Sequence, residues 1–171
     1  MARAFRAMEI SIRYMNVHEI IYKTKAASEA DIFVHLKECS ALFVPDLSAA
    51  VDIREYAEKI FQKSVTFEAW VKGRLAGLVA VYCNDIETKS AYITSVSVVR
   101  ECSGLGIASR LLEMCISYVE LNFFVEIVLE VNAMNAPAGN LYKKYGFAIF
   151  ESKESSFLMK LELPAFSELP H

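Results

Sequence analysis

The sequence predicts an α/β (α+β) domain in which helices flank a mixed, mostly antiparallel central sheet. Two helical stretches are followed by three β-rich segments with short links, and a glycine turn then leads into a long amphipathic stretch. The chain has 171 residues, 54% hydrophobic and 23% charged, a composition typical of one globular domain. We expect a single domain over residues 1–163 and a loose tail at 164–171.

The first third of the chain predicts one strand and two helices. A β pattern at residues 10–15 indicates a first strand. Ser28 is a suitable N-cap for a helix that extends to about Ala41, and Pro45 interrupts the helical pattern. Apolar residues recur at helical spacing over residues 52–62, which predicts a second amphipathic helix.

The middle of the chain predicts an antiparallel meander. Residues 65–71 and 75–83 are predominantly apolar and flank the short turn at residues 72–74, which predicts two strands. A further loop leads to a third strand at residues 92–99. Because the links are short, neighbouring strands must run in opposite directions.

The last third predicts the other side of the sheet. Residues 105–120 form the main helix, with one apolar stripe, and residues 125–131 form the next strand. A short helix follows, and two final strands are predicted at residues 147–151 and 157–163. This order indicates a mixed sheet and excludes a doubly wound one.

Charge and cysteine content exclude several classes of function. The net charge of −3 argues against general nucleic-acid binding, and acidic residues interrupt every apolar run that could span a membrane. The cysteines lack metal-ligand spacing, and the three histidines do not cluster with them, so we expect no metal site. We expect a soluble cytoplasmic protein with four free thiols: Cys39, Cys83, Cys102 and Cys115.

The glycine turn between the third strand and the main helix is a candidate phosphate site. Gly104 and Gly106 permit positive φ, and the helix that follows presents free N–H groups to an anion. Ile107 follows Gly106 where an ATP-binding Walker loop would have lysine. Ser109 stands where a dinucleotide fingerprint would have its third glycine, although Glu130 ends the next strand. A purely structural turn is the alternative.

A second motif gives the turn a more specific interpretation. Residues 103–108 resemble the acyl-CoA loop of the GCN5-related N-acetyltransferases in Gly106 and Ala108, with Ser103 where the family usually has Arg or Gln. Residues 135–147 resemble the family's Asn-x-x-Ala-x-x-Leu-Tyr segment followed by Gly-Phe, in the same order and at similar spacing. The resemblance covers residues 65–163 and is weaker before them.

The resemblance implies a central sheet that opens where acyl-CoA binds, with acetyl-CoA as co-substrate and no metal. In that family the strand before the glycine loop separates from its neighbour, and the pantetheine arm binds to exposed main chain. Carried onto this sequence, the CoA-binding residues are Val96, Val98, Ser103, Gly104, Leu105, Gly106, Ile107, Ala108, Ser109 and Asn135. Asn135 is also suited to capping the short helix.

The resemblance also implies catalytic roles. Tyr142 corresponds to the family's general acid, which protonates the leaving thiolate. The general base is not given by the resemblance: Glu130 is the candidate because it ends a strand beside the site, with Glu68, Asp85 and Glu87 as weaker alternatives and a water chain as a further one. The chain is thus predicted to acetylate a primary amine by direct attack.

The sequence does not identify the acceptor or the assembly. The resemblance fits an acceptor amine on a small molecule or a peptide. We expect neither nucleic acid nor a membrane as partner. A homodimer is compatible with the sequence. The alternative function is a non-catalytic domain of the same fold that binds or senses acyl-CoA.

Overall fold

The computed structural model describes residues 19–164. The strand predicted at residues 10–15 lies outside the described residues, as do residues 165–171 of the tail predicted at 164–171. In chain order, the elements are β1 (Ile20–Thr24), α1 (Glu29–Cys39), α2 (Leu47–Ala50), α3 (Ile53–Lys63), β2 (Val65–Val71), β3 (Arg74–Asp85), β4 (Ser90–Val98), α4 (Ile107–Leu121), β5 (Glu126–Asn132), α5 (Ala136–Lys144), β6 (Ala148–Ser152) and β7 (Ser156–Glu162). Short 3-10 turns follow α1 at Ser40–Leu42 and β4 at Arg100–Cys102.

The strands form one seven-stranded sheet in the order β1-β2-β3-β4-β5-β7-β6. All neighbours are antiparallel except β4 and β5, which confirms the predicted mixed, mostly antiparallel sheet. The meander of β2, β3 and β4 is confirmed as well. The sequence analysis missed β1 and α2. Both are short, and β1 buries only Ile20, so it carries no alternating apolar signal.

Local capping explains where the helices on one side of the sheet begin. The Ser28 hydroxyl accepts the Asp31 N–H at 3.1 Å, and the Asp31 carboxylate accepts the Ser28 N–H at 2.8 Å, forming a capping box. The Asp52 carboxylate accepts the Glu55 N–H at 3.0 Å at the start of α3. The predicted N-cap at Ser28 is therefore confirmed.

The sheet has two packed faces. One, the α4 face, packs against α4 and α5, and its buried residues include Phe67, Val79, Ile93, Leu111 and Leu129. The other, the α1–α3 face, packs against α1 and α3, and its buried residues include Ile32, Leu36, Ile60 and Leu78. The helices therefore cover the middle of the sheet from both sides.

Gly77 on β3 sets how closely α4 approaches the sheet. A Cβ atom at this position would lie only 2.6 Å from Ile107 Cγ2 and 3.1 Å from Leu111 Cδ1. Glycine thus lets the first turns of α4 pack directly on the strand. The beginning of α4 is thereby fixed beside β4.

A β-bulge at Thr94 changes which side chains of β4 face which helices. Ile93 pairs with Val81 while Ser95 pairs with Ala80, so Thr94 is an extra residue without its own partner on β3. After the bulge the side-chain alternation is reversed. Val96 and Val98 consequently pack against the α4-face core together with Ile93, and the two serines that alternate with them point to the α1–α3 face.

Glu68 holds the segment before α1 against β2. Its carboxylate is fully buried and accepts the backbone N–H groups of Ala26 at 3.0 Å and Ala27 at 2.9 Å. It also accepts the Thr66 hydroxyl at 2.8 Å and the Trp70 indole N–H at 2.9 Å. Four donors thus depend on one carboxylate.

Substitution of Glu68 by alanine is expected to lower the free energy of unfolding by about 3 kcal/mol, because buried donors left without an acceptor cost about 1–3 kcal/mol each. Urea unfolding at pH 7 measures the change. The exposed Glu154 provides the matched control, because Glu154→Ala is expected to change the free energy of unfolding by less than about 0.5 kcal/mol. Equal effects of the two substitutions would contradict the role given to Glu68.

Candidate active site

The parallel strands β4 and β5 separate partway along their length. Their pairing runs from Ser90 with Glu126 to Ile93 with Leu129 and then stops, although β4 continues to Val98 and β5 to Asn132. The opening forms a cavity of about 340 Å³. The loop after α1 closes one side of it through Phe43 and Val44. The separation that the resemblance implied is therefore present.

Six of the predicted site residues line this cavity: Val96, Val98, Ala108, Glu130, Asn135 and Tyr142. The other six belong to the glycine loop and the first turn of α4: Ser103, Gly104, Leu105, Gly106, Ile107 and Ser109. Ala108 lies in that same turn and faces the cavity, so the two groups of residues are contiguous.

The unpaired part of β4 presents main-chain amides to the cavity. The N–H of Val99 donates to the carbonyl oxygen of Ala76 on β3 at 2.8 Å. Successive residues of a strand direct their amides to alternate sides, so the amides of Val96 and Val98 point away from β3 and towards the side that β5 has left. They are available to a ligand in the cavity.

The glycine loop has the conformation that anion binding by main chain requires. Gly104 has φ +79° and Gly106 has φ +77°, and no described atom lies within 4 Å of where either Cβ would be. Gly106 is the N-cap of α4, and no side chain caps the helix there. The N–H groups of the first turn, which have no partner within the helix, are therefore open to an anion.

The residues around the glycines fix the loop to the rest of the fold. The N–H of Ser103 donates to the carbonyl of Arg100 at 3.1 Å and ends the 3-10 turn, while the Ser103 side chain is exposed. Leu105 packs against the α4-face core. Just before the loop, Glu101 lies 3.9 Å from Arg74, which also pairs with Glu38 of α1.

Tyr142 lies on α5 with its ring buried and lines the cavity. Its ring centroid is 5.9 Å from that of Phe147, at an interplanar angle of 58°. Burial raises the pKa of Tyr142 to about 12, and its hydroxyl has no hydrogen-bond partner among the described residues. The phenol is thus protonated at neutral pH and free to donate. The Asn135 side chain accepts the Ala138 N–H at 3.3 Å, so the predicted capping role of Asn135 is present.

Glu130 lies on β5 at the cavity and is engaged by two neighbours. Its carboxylate accepts the Ser156 hydroxyl at 2.5 Å and the Lys153 ammonium at 3.1 Å. These contacts, the Ser156 hydrogen bond first, lower the pKa of Glu130, so it is anionic at neutral pH. Glu68, one of the weaker alternatives, is fully buried away from the cavity, and Asp85 accepts the Thr88 N–H at 3.0 Å in a turn.

Sequence reasoning did not single out His35. It is buried in α1, where its Nδ1–H donates to the Leu75 carbonyl at 3.0 Å and its Nε2 accepts the Ser97 hydroxyl at 2.8 Å. The available signal was the position of His35 on the apolar face of a predicted helix, beside Leu36. Burial, the dominant cause, lowers the pKa of His35.

Tyr56 was assigned only to the apolar face of the second predicted helix. The structure gives it a polar function as well, because its hydroxyl donates to the Thr94 carbonyl at 2.6 Å and lies 2.8 Å from Thr94 Oγ1. Nothing in the local sequence pairs these two positions.

Within residues 19–164 no group of three or more His, Cys, Asp or Glu side chains could hold a metal ion. The helices of this same segment include none that is both long and apolar enough to cross a membrane.

The chain is similar to a family model, to one protein over part of its sequence, and to solved structures. A model of the acetyltransferase (GNAT) family matches residues 30–147. An N-alpha-acetyltransferase of Sulfurisphaera tokodaii is 38% identical over 60 residues, a match that spans 34% of this chain and only 36% of that protein.

Solved structures share the fold at low sequence identity. The ribosomal-protein-S18-alanine N-acetyltransferase of Escherichia coli superposes with a TM-score of 0.69 at 17% identity, covering 88% of this chain and 100% of that one. The PaiA N-acetyltransferase of Thermoplasma acidophilum, solved in complex with coenzyme A, has a TM-score of 0.64 at 14% identity, covering 83% of this chain and 99% of that one.

The lowered pKa of His35 predicts a pH dependence of stability. The native state takes up this proton less readily than the unfolded chain, whose histidine pKa is about 6.5. The free energy of unfolding should therefore fall as pH drops below about 6.5, until the native-state pKa of His35 is reached.

Urea unfolding at pH 7.5, 6.5 and 5.5 tests this prediction against the His35→Gln variant. The variant retains His18 and His171, so the difference between the two slopes isolates His35. We expect a shallower loss of stability in the variant, and equal slopes would contradict the prediction.

Proposed function

Because the chain belongs to the GNAT acetyltransferase family, we propose that it transfers an acetyl group from acetyl-CoA to a primary amine. One observation carries the proposal: the unpaired amides of β4 lie in the same opening as the first turn of α4, beside the positive-φ glycines. The opening thus offers two groups of main-chain donors to a long ligand. The amides of β4 suit a carbonyl oxygen, and the N–H groups of the first turn of α4 suit a pyrophosphate.

In this proposal the glycine loop binds the pyrophosphate of acetyl-CoA. Gly104 and Gly106 let the phosphate oxygens approach the main chain, and the N–H groups of residues 107–109 donate to them. Ser103 replaces the usual Arg or Gln, which removes a side-chain contact but no main-chain donor. Asn135 lines the same cavity and is proposed to contact the pantetheine arm.

The amides of Val96 and Val98 are proposed to bind the arm and the thioester carbonyl. As the amine attacks, the carbonyl oxygen gains negative charge, and a fixed N–H donor stabilises it more strongly than mobile water does. Holding both substrates in one opening supplies further acceleration through proximity.

The proton transfers are assigned to two side chains that line the opening, Tyr142 and Glu130. The neutral amine forms a C–N bond with the acetyl carbon, the C–S bond breaks, and the Tyr142 hydroxyl protonates the leaving thiolate. The proton lost by the amine is assigned to Glu130 or to water beside it. Because the Ser156 and Lys153 contacts lower the pKa of Glu130, its carboxylate is a weak base, and water is the alternative acceptor of this proton.

The search for the acceptor should begin with α-amines. The curated relative is an N-alpha-acetyltransferase, and one structural neighbour is a ribosomal-protein-S18-alanine N-acetyltransferase. A panel should therefore begin with peptides bearing a free N-terminus and continue with small-molecule amines. Binding of acetyl-CoA without turnover on any amine would favour the non-catalytic alternative.

Calorimetric titration with acetyl-CoA tests the proposed function, and we expect a dissociation constant in the micromolar range. The Gly106→Ala variant should bind at least about tenfold more weakly, because alanine is strained at φ +77° and its Cβ occupies the space proposed for the pyrophosphate. No binding by the wild-type protein would overturn the proposal.

Gly73→Ala is the matched control for this variant. Gly73 has φ +75° and equally open surroundings, but it lies in the β2–β3 turn outside the residues that line the cavity. It should show a similar loss of stability with unchanged acetyl-CoA affinity. A comparable loss of affinity in both variants would show that strain alone accounts for the effect.

The Tyr142→Phe variant is expected to lower kcat by about 10²-fold or more, because the leaving thiolate loses its proton donor. Its affinity for acetyl-CoA should change by less than about threefold, since the buried ring is retained. Thiol release measured with a reactive acceptor gives kcat, and calorimetry gives the affinity.

Tyr145→Phe serves as the control for Tyr142. The Tyr145 hydroxyl donates to Glu113 on α4 at 2.8 Å and does not line the cavity. Its substitution should leave kcat within about twofold. Equal kcat values for wild type and Tyr142→Phe would remove Tyr142 from the mechanism.

A further inference from the structure

The part of β4 beyond the bulge lacks a strand on one side. From Ser95 to Val98 it pairs with β3 alone, because β5 has separated. A strand paired on one side is less constrained than a central strand. Amides that must hold a fixed direction in this segment therefore need support from elsewhere in the fold.

Tyr56 of α3 supports the start of this segment. Its hydroxyl donates to the Thr94 carbonyl at 2.6 Å, and the Thr94 hydroxyl lies at 2.8 Å, so the bulged residue is held through both main chain and side chain. The ring of Tyr56 packs with the core of the α1–α3 face. A rigid helix thus fixes the residue at which the side-chain alternation of β4 is reversed.

His35 of α1 supports the end of the segment. It binds the Leu75 carbonyl of β3 through Nδ1 at 3.0 Å and the Ser97 hydroxyl of β4 through Nε2 at 2.8 Å. One imidazole therefore links two adjacent strands. Ser97 lies between Val96 and Val98, the two residues whose amides face the opening.

We infer that Tyr56 and His35 are positioning residues for the acyl donor: from the helix side of the sheet they hold the unpaired segment of β4, and with it the amides of Val96 and Val98. The inference rests on the proposed function. Neither side chain lines the cavity, so each acts through the strand and not on the substrate.

Both side chains are neutral hydrogen-bonding groups at neutral pH. Burial raises the pKa of Tyr56 to about 12 and lowers the pKa of His35. The two supports thus add no charge next to the reacting carbonyl. Their effect is preorganisation, which fixes donor direction before the substrate arrives.

The test compares Tyr56→Phe and Ser97→Ala with wild type. Each removes one hydroxyl, and Ser97→Ala breaks the His35 contact without changing His35. Because Ser97 itself borders the cavity and Tyr56 does not, Tyr56→Phe is the deciding variant. We expect the dissociation constant of acetyl-CoA to rise about three- to tenfold in each, the change that corresponds to one typical hydrogen bond. Calorimetry makes this measurement at a temperature at which circular dichroism shows that each variant is folded.

The control is Tyr118→Phe on α4, whose ring packs edge-on against Phe67 at 5.6 Å. It removes a tyrosine hydroxyl that lies outside the cavity and should leave the affinity within about twofold. If Tyr56→Phe and Ser97→Ala also bind acetyl-CoA with wild-type affinity, the inference is wrong.

Amide hydrogen exchange of the ligand-free protein separates this inference from the proposed function. The amides of Ser95 and Ser97 point to β3, and their exchange should become faster in Tyr56→Phe than in Tyr118→Phe. Unchanged exchange would overturn the inference even if acetyl-CoA binds. If wild type fails to bind acetyl-CoA while exchange is faster in Tyr56→Phe, the proposed function is wrong. The Tyr56 and His35 contacts to β4 would then be structural only.

Discussion

The separation of β4 from β5 is the constraint on which the rest of the structure depends. Beyond Ile93 and Leu129 the two strands give up their mutual hydrogen bonds, and the sheet gains an opening where its centre would otherwise be closed. A buried amide without a partner is unfavourable, so an opening of this kind persists only if other contacts fix the strand and the opening admits solvent or ligand. The bulge at Thr94, the contacts from α1 and α3, and the close approach of α4 over Gly77 meet the first condition.

Main chain and side chains have different tasks in the proposed site. Amides of β4 and of the first turn of α4 supply fixed donors whose direction is set by the fold, and they need no particular side chain. Proton transfer needs ionisable groups, and in the proposal these are Tyr142 on α5 and Glu130 on β5, which both line the cavity. The environments of the two differ: burial keeps the phenol protonated, whereas Ser156 and Lys153 keep the carboxylate ionised.

The sequence was sufficient for features that depend on neighbours along the chain. Apolar runs joined by short turns predicted β2 to β4, the Ser28 cap predicted the start of α1, and the glycine spacing predicted the loop before α4, because each signal lies within a few residues. The supports of β4 could not be found in this way. His35 and Ser97 are 62 residues apart, and Tyr56 and Thr94 are 38 apart, so their pairing exists only in the folded chain. Glu68 was considered as a base because the local sequence does not show that its carboxylate is already occupied. The N–H groups of Ala26 and Ala27 that bind it lie 42 and 41 residues away.

A glycine loop that binds through its backbone has a consequence for divergence. In the proposed site, the positions that binding through main chain constrains are those with positive φ, Gly104 and Gly106, whereas the side chain of Ser103 before them is exposed. Such a site can be inherited through long lineages while pairwise identity falls to the level of chance. Conversely, a search that scores side-chain chemistry will underrate it, and the more informative trait to follow across distant sequences is the spacing of residues able to adopt a left-handed backbone.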